Sequence, residues 1–204
     1  MVQYLTQATR YFCCFFNFLV LFFPKTQFYA FIILLSCVII AMNQKRNLMC
    51  QKTKQLLCYI LQDSPRDVTS MIKLSYLIDL AAVRRFGQQI SEFEYIRYNY
   101  GPFDQKVYSN LNDLQKDGKV VSFSHYNTYG ESVLFKLNTL PEDVDFNLLS
   151  EEEKSLIKEM LDSLTGYGAR MLTEIAYSTA PMKALGATLG GNEHLGEPLD
   201  LRSV

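Results

Sequence analysis

Apolar residues recur at helical spacing along most of the chain from about Thr53 onward. Leu56, Leu57, Ile60 and Leu61 share one helical face, and Asp63-Ser64-Pro65-Arg66-Asp67 ends that element. Met71, Leu74, Leu77, Ile78 and Ala81 draw the stripe of a second helix, with Thr69 and Ser70 as capping candidates. Arg84 and Arg85 suit its C-terminal dipole, and Gly87 stops it. Residues 88–100 alternate partly and are rich in β-formers, which predicts an extended segment or short strand. Pro102 suits the first position of a third helix over 103–116, whose stripe is Phe103, Val107, Leu111 and Leu114.

The pattern then changes period. Over 120–138 it predicts a β-hairpin, with Val121 and Phe123 inward on one strand and Val133, Phe135 and Leu137 on the other. Ser150 and Glu153 form a capping box for a helix carrying Leu156, Ile157, Met160, Leu161 and Leu164. A shorter helix ends before Pro181, and the glycine-rich tail 186–204 is expected to be loosely ordered. The whole predicts an α+β, mostly helical fold: a single compact domain over 42–185, with a short antiparallel hairpin or small sheet packed on helices.

Residues 1–41 stand apart. Two apolar runs, 11–23 and 28–42, flank Pro24-Lys25-Thr26-Gln27, and each is shorter than a comfortable membrane span. Two readings stay open: a kinked membrane anchor with Lys45 and Arg46 on its cytoplasmic side, or a mis-called start with Met42 or Met49 as the true first residue. The second reading draws on the Phe, Leu, Ile, Val, Cys and Tyr of the leader, all of which have T-rich codons.

Charge narrows the function classes. The chain holds 20 basic and 21 acidic residues, and the segment after residue 41 keeps 18 of the basic and all the acidic ones. This is not the basic footprint of a nucleic-acid binder. The five cysteines show no C-x-x-C pair and lie far from His125 and His194, so reduced thiols in a cytoplasmic domain are expected, with no metal. No G-x-S-x-G elbow or phosphate-binding G-K-[ST] is present, and neither histidine sits where a catalytic set would hold it, so no enzyme and no cofactor is expected.

What remains is aromatic. Tyr98 and Tyr100 sit directly ahead of Gly101-Pro102, and tyrosine combines apolar area with a polar tip at low entropic cost. Tyr76 and Asp79 are neighbours at i, i+3 on the second helix. The preferred reading of Asp79 is a partly buried carboxylate that holds a nearby backbone N–H or an arginine.

These residues also make up a pattern. Lys73, Leu74, Tyr76 and Asp79 on one helix, Tyr100-Gly101-Pro102 ahead of another, and Leu172, Thr173, Glu174 and Ile175 followed by Pro181 resemble the Panacea domain of SocA-like antitoxins, found in bacterial, archaeal and phage toxin–antitoxin systems. Tyr177 stands where many members have His, and Met182 where many have Trp. The resemblance covers roughly residues 50–185 and implies a small domain that binds a cognate toxin protein, such as one encoded nearby, and blocks it. Some relatives act instead as adaptors that deliver the toxin to a protease. Tyr98, Tyr100, Gly101, Pro102 and Tyr177 are the expected partner-binding group. The alternative is a winged-helix transcription regulator, with the 103–116 helix on DNA and the hairpin as wing. Against it stand the distance of about 16 residues between the second and third helices, where helix-turn-helix units use a short turn, and a third helix that would expose Asp104, Asn110, Asn112 and Asp113 against only Lys106 and Lys116.

Overall fold

The computed structural model describes residues 25–127, 130–138, 140 and 144–203. Its elements run α1 (Lys25–Ile60), β1 (Arg66–Asp67), α2 (Val68–Phe86), β2 (Ile96–Tyr98), β3 (Gly101–Phe103), α3 (Lys106–Lys116), β4 (Val120–Asn127), β5 (Gly130–Leu137), α4 (Glu151–Ser163), α5 (Ala169–Tyr177) and α6 (Ala180–Ala184). This is the expected mixture of α and β, mostly helical. α1 extends far upstream of Thr53 because no glycine or proline interrupts Lys25–Ile60.

The chain divides after Asn47, inside α1. In the first unit Val38, Ile39, Ile40 and Met42 are exposed, and the 11–23 run lies outside the described residues. Among the described residues no helix is long and apolar enough to cross a membrane.

The second unit is organised around α2, which is buried almost continuously from Ser70 to Leu80 and packs against α3, α4, α5, β1 and β3. Its N-cap is Asp67 rather than Thr69 or Ser70: the Asp67 carboxylate accepts from Ser70 N at 2.9 Å and from the Ser70 hydroxyl at 2.7 Å. Gly87, at φ 76, closes the helix as its sequence suggests. The capping box of α4 forms between Ser150 and Glu153, and Lys52 of α1 reaches Glu153 at 2.7 Å.

Two small antiparallel sheets complete the unit, one in the order β1-β5-β4 and the other pairing β2 with β3. The β4–β5 hairpin is present, but one strand is turned over relative to the sequence expectation. Its register pairs Val120 with Leu137 and Ser122 with Phe135, and opposed residues share a face. Val120 therefore enters the core with Leu137 and Phe135, while Val121 and Phe123 point away and are exposed. With a period of two, a one-residue misassignment exchanges the faces. Val133 lies on the core-side face but beyond the core, and it too is exposed.

Three further expectations are corrected. Pro102 lies in β3, paired with Arg97, and α3 starts only at Lys106. Asp104 and Asn110, read as exposed on a DNA-facing helix, are buried. Asp104 accepts from Glu94 N and, at 2.8 Å, from Lys106 N. The tail is not loose over its last third: Arg97 N donates to Glu197 O at 2.8 Å, Leu199 N to Tyr95 O at 2.8 Å, and Leu199 and Leu201 are buried.

Candidate functional site

β2 and β3 are joined by a two-residue turn, Asn99-Tyr100, so Tyr98 faces Gly101 across the ribbon. Alternation along β2 sends Arg97 inward and Tyr98 outward. Tyr98 is 47% exposed and Tyr100 72% exposed at the tip. Gly101, Pro102 and Tyr177 lie beneath them, buried. The expected partner-binding group is thus split: two of its side chains are accessible and three form their support.

The support is held from several directions. Arg97 is fully buried and donates to Tyr98 O, to Gly191 O at 2.7 Å and to Thr188 O at 3.3 Å. Its guanidinium lies 5.1 Å from the centroid of the Tyr177 ring, a cation–π contact in a water-poor site. The Tyr177 hydroxyl donates to Asn99 O at 3.3 Å and so ties α5 to the turn. Lys73, buried on α2, donates from Nζ to Pro102 O at 2.7 Å. Burial, and then the nearby Arg97 charge, push its ammonium down to about 7.

Gly101 is required by this geometry. Its φ is +93, and a Cβ there would stand 3.3 Å from Tyr177 Cε2 and 3.6 Å from Lys73 Nζ. Gly101→Ala is expected to cost about 1–2 kcal/mol from backbone strain alone, plus the displacement of the ring. Gly118→Ala supplies the control, because Gly118 has φ +70 and open space around it. Urea denaturation of both variants should show the larger loss at Gly101; equal losses would mean that the ring yields freely.

Behind the corner lies a second cluster. The Asp79 carboxylate is fully buried and accepts from Ile90 N and Ser91 N, both at 3.0 Å, from the Ser91 hydroxyl, and from the Tyr95 hydroxyl at 2.8 Å. Backbone N–H donors fit the expected role of Asp79, but the carboxylate is fully rather than partly buried, and its amide partners lie 11 and 12 positions along the chain. Tyr76 meets Asp79 only through Tyr95, whose ring it contacts edge-on at 5.3 Å. The Tyr76 hydroxyl bonds Thr179 Oγ1 at 2.7 Å. The motif residues of α2 therefore brace the segment leading into β2 and the α5–α6 junction.

The later motif is mostly structural in its contacts. Leu172 is core, Thr173 bonds back to Ala169 O at 2.8 Å, and Pro181 is buried near the start of α6. Glu174 pairs with Arg170 at 3.2 Å on the surface. Thr173 and Glu174 help line a cleft of about 370 Å3 that reaches Tyr100.

Sequence reasoning missed an aromatic row beside the turn. Tyr98 packs on Phe103 with centroids 5.0 Å apart, and Phe103 on Tyr108 at 6.1 Å. The available signal was Tyr108, an exposed position on a helix whose stripe is otherwise apolar on the inner face. Arg97 was missed too, since only strand alternation marks it as inward-facing.

No curated protein and no solved structure matches the chain. The sequence profile described as antitoxin SocA-like, Panacea domain, matches residues 71–181, a span that opens with α2 and closes at the buried Pro181. That span takes in Lys73, Tyr76, Asp79, the Gly101-Pro102 corner and Tyr177, and on it the chain belongs to the SocA-like antitoxin family with a Panacea domain.

Proposed function

We propose that the chain neutralises a cognate toxin protein by direct contact, using the aromatic surface of Tyr98, Tyr100 and Tyr108. Membership of an antitoxin family implies a toxin partner. The observation that carries the reading is the contrast at the corner: two tyrosines are 47% and 72% exposed on a turn whose underlying residues are buried and hydrogen-bonded. Large rings held on a rigid support lose little entropy on binding, which is the property of interface anchors.

The test is binding of the full chain to the protein encoded beside it, with Tyr98→Ala/Tyr100→Ala as variant. A loss of about 2 kcal/mol, roughly 30-fold in Kd, is expected, with the urea midpoint preserved because neither ring is in the core. In cells, growth arrest by that protein should be relieved by the wild-type chain and poorly by the variant. Undiminished binding by the double variant would remove the tyrosine surface from the proposal.

A further inference from the structure

The β4–β5 hairpin leaves the body of the second unit as an arm. Val120 and Leu137 are buried at its base, and every residue of β4 from Val121 to Tyr126 is exposed. β1 pairs with the far side of β5, so the sheet ends on β4. Asn138 N donates to Lys119 O at 2.9 Å, and antiparallel alternation then makes 121–136, 123–134 and 125–132 the hydrogen-bonded pairs. Val121, Phe123 and His125 thus give their main-chain groups to β5, while Val120, Ser122, Ser124 and Tyr126 turn theirs outward. Among the described residues no strand lies beyond them, and Gln115 of α3 reaches only the Ser122 hydroxyl, at 2.8 Å.

Sheets guard such an edge with lysine, proline, charge or a bulge. Residues 120–126 read Val-Val-Ser-Phe-Ser-His-Tyr, without Lys, Arg, Asp, Glu or Pro, and the β4–β5 register runs without a bulge. Valine, phenylalanine and tyrosine are also strong strand formers. Beside the open edge, Val121 and Phe123 lie exposed on the face turned away from the core. Main-chain groups and apolar side chains are therefore left unpartnered along the same stretch.

We propose that this edge pairs with the same edge of a second copy of the chain, β4 antiparallel to β4, so that two three-stranded sheets become one of twice the width. The inference is independent of the toxin-binding reading. The open stretch Val120–Tyr126 is centred on Phe123, and the two-fold register that uses all of it sets Ser122 of each copy against Ser124 of the other, and Val120 against Tyr126. Those are the residues with outward N–H and C=O groups, so each outward donor meets an acceptor. Phe123 then meets Phe123 on the axis in a non-hydrogen-bonded pair, the kind in which side chains stand closest, and Val121 lies beside His125 on the same face. No like charges oppose one another, since the stretch carries no Lys, Arg, Asp or Glu. Each body sits at its own Val120 end, and antiparallel arms keep the two bodies at opposite ends of the seam. The edge supplies both halves of the contact, which is isologous and closes at two copies.

Sedimentation velocity of the full chain over a concentration series is the test. A seam of this length belongs with the small interfaces, below about 1,200 Å2 buried, so a monomer–dimer equilibrium with Kd of about 10–100 µM is expected in a series reaching about 500 µM. Amide exchange locates the contact. In dilute chain Ser122, Ser124 and Tyr126 should exchange faster than Val121, Phe123 and His125, and at the highest concentration they should slow several-fold. Phe123→Lys and Phe123→Glu each set like charges on the axis and should be monomeric throughout, with circular dichroism unchanged because the ring is outside the core. Mixed in equal amounts they should dimerise again, since the register sets Lys against Glu. If a charged variant fails to fold, the exchange pattern of the wild-type chain decides. A chain that stays monomeric throughout the series overturns the inference, as does a mixture of the two variants that fails to pair. Association that both variants leave unchanged, or that leaves Ser122 and Ser124 in fast exchange, overturns it too and places the contact elsewhere, as at the exposed Val38, Ile39 and Ile40 of α1.

Discussion

Asp79→Ala is expected to destabilise the chain by about 4 kcal/mol, near the upper end of single-residue effects. The side chain is fully buried and gathers four donors, two from the backbone of Ile90 and Ser91 and two from the hydroxyls of Ser91 and Tyr95. Alanine leaves both amides and the Tyr95 hydroxyl without partners in a site closed to water, and an unmet buried donor costs more than the bond itself contributes. Asp79→Asn should be far milder, about 1–2 kcal/mol. Oδ1 can still accept from the two amides, and the amide nitrogen meets two hydroxyls that can turn to accept. Burial pushes the Asp79 carboxyl up against the pull of its four donors, so an uncharged group of the same shape also avoids part of that desolvation. Urea denaturation followed by circular dichroism measures both. If alanine and asparagine cost the same, the hydrogen bonds are not what Asp79 supplies.

The second large effect is a dependence on pH. Lys73 in the folded chain is held down to about 7, while an unfolded lysine keeps its proton to about 10.4. Between these values the unfolded state binds more protons, and stability rises with pH wherever that holds. The wild-type chain is therefore expected to gain stability relative to Lys73→Met from about pH 7 to about pH 9, by up to ~1.4 kcal/mol per pH unit. Below about pH 7 lysine is protonated in both states and the difference should be flat. Above about pH 9 Cys58, pushed up to about 11 by burial, bends each curve alone with the opposite sign, because its unfolded thiol ionises first, but it is present in both chains and cancels in the difference. Loss of the bond to Pro102 O adds only a constant offset, since a neutral amine still donates. Urea midpoints at several pH values, wild type against Lys73→Met, provide the test. A flat difference across the window would mean that Lys73 keeps its proton beneath the corner.

The two effects concern the same motif from opposite ends. Lys73 and Asp79 stand six residues apart on α2, one under the turn that carries the exposed tyrosines and the other under the segment that leads into it. Both support the placement of Tyr98 and Tyr100 without reaching the surface themselves. The residues that mark the family in sequence are, in this chain, mostly the scaffold of the proposed interface.

The features legible in the sequence were those set within a few residues. The stripe of α2, its stop at Gly87, the capping box at Ser150 and Glu153 and the β4–β5 hairpin all depend on periodicity or on bonds across three or four positions. The family was legible for a related reason, since its motif residues sit at short, regular spacings. Tertiary structure decided the rest. Whether Val120 or Val121 enters the core depends on the pairing of β4 with β5 and on which face meets the helices, and a one-residue difference exchanges them. Pro102 is as acceptable at the start of a helix as in a two-stranded ribbon, and the choice falls to its pairing with Arg97 and its carbonyl bond to Lys73. The place of Arg97 is set by carbonyls at Thr188 and Gly191, more than 90 positions away, and that of the last tail residues by Tyr95 and Arg97. No local spacing encodes such partners, because they meet only when hydrophobic burial has brought distant elements together and every buried polar group must then find what lies within reach.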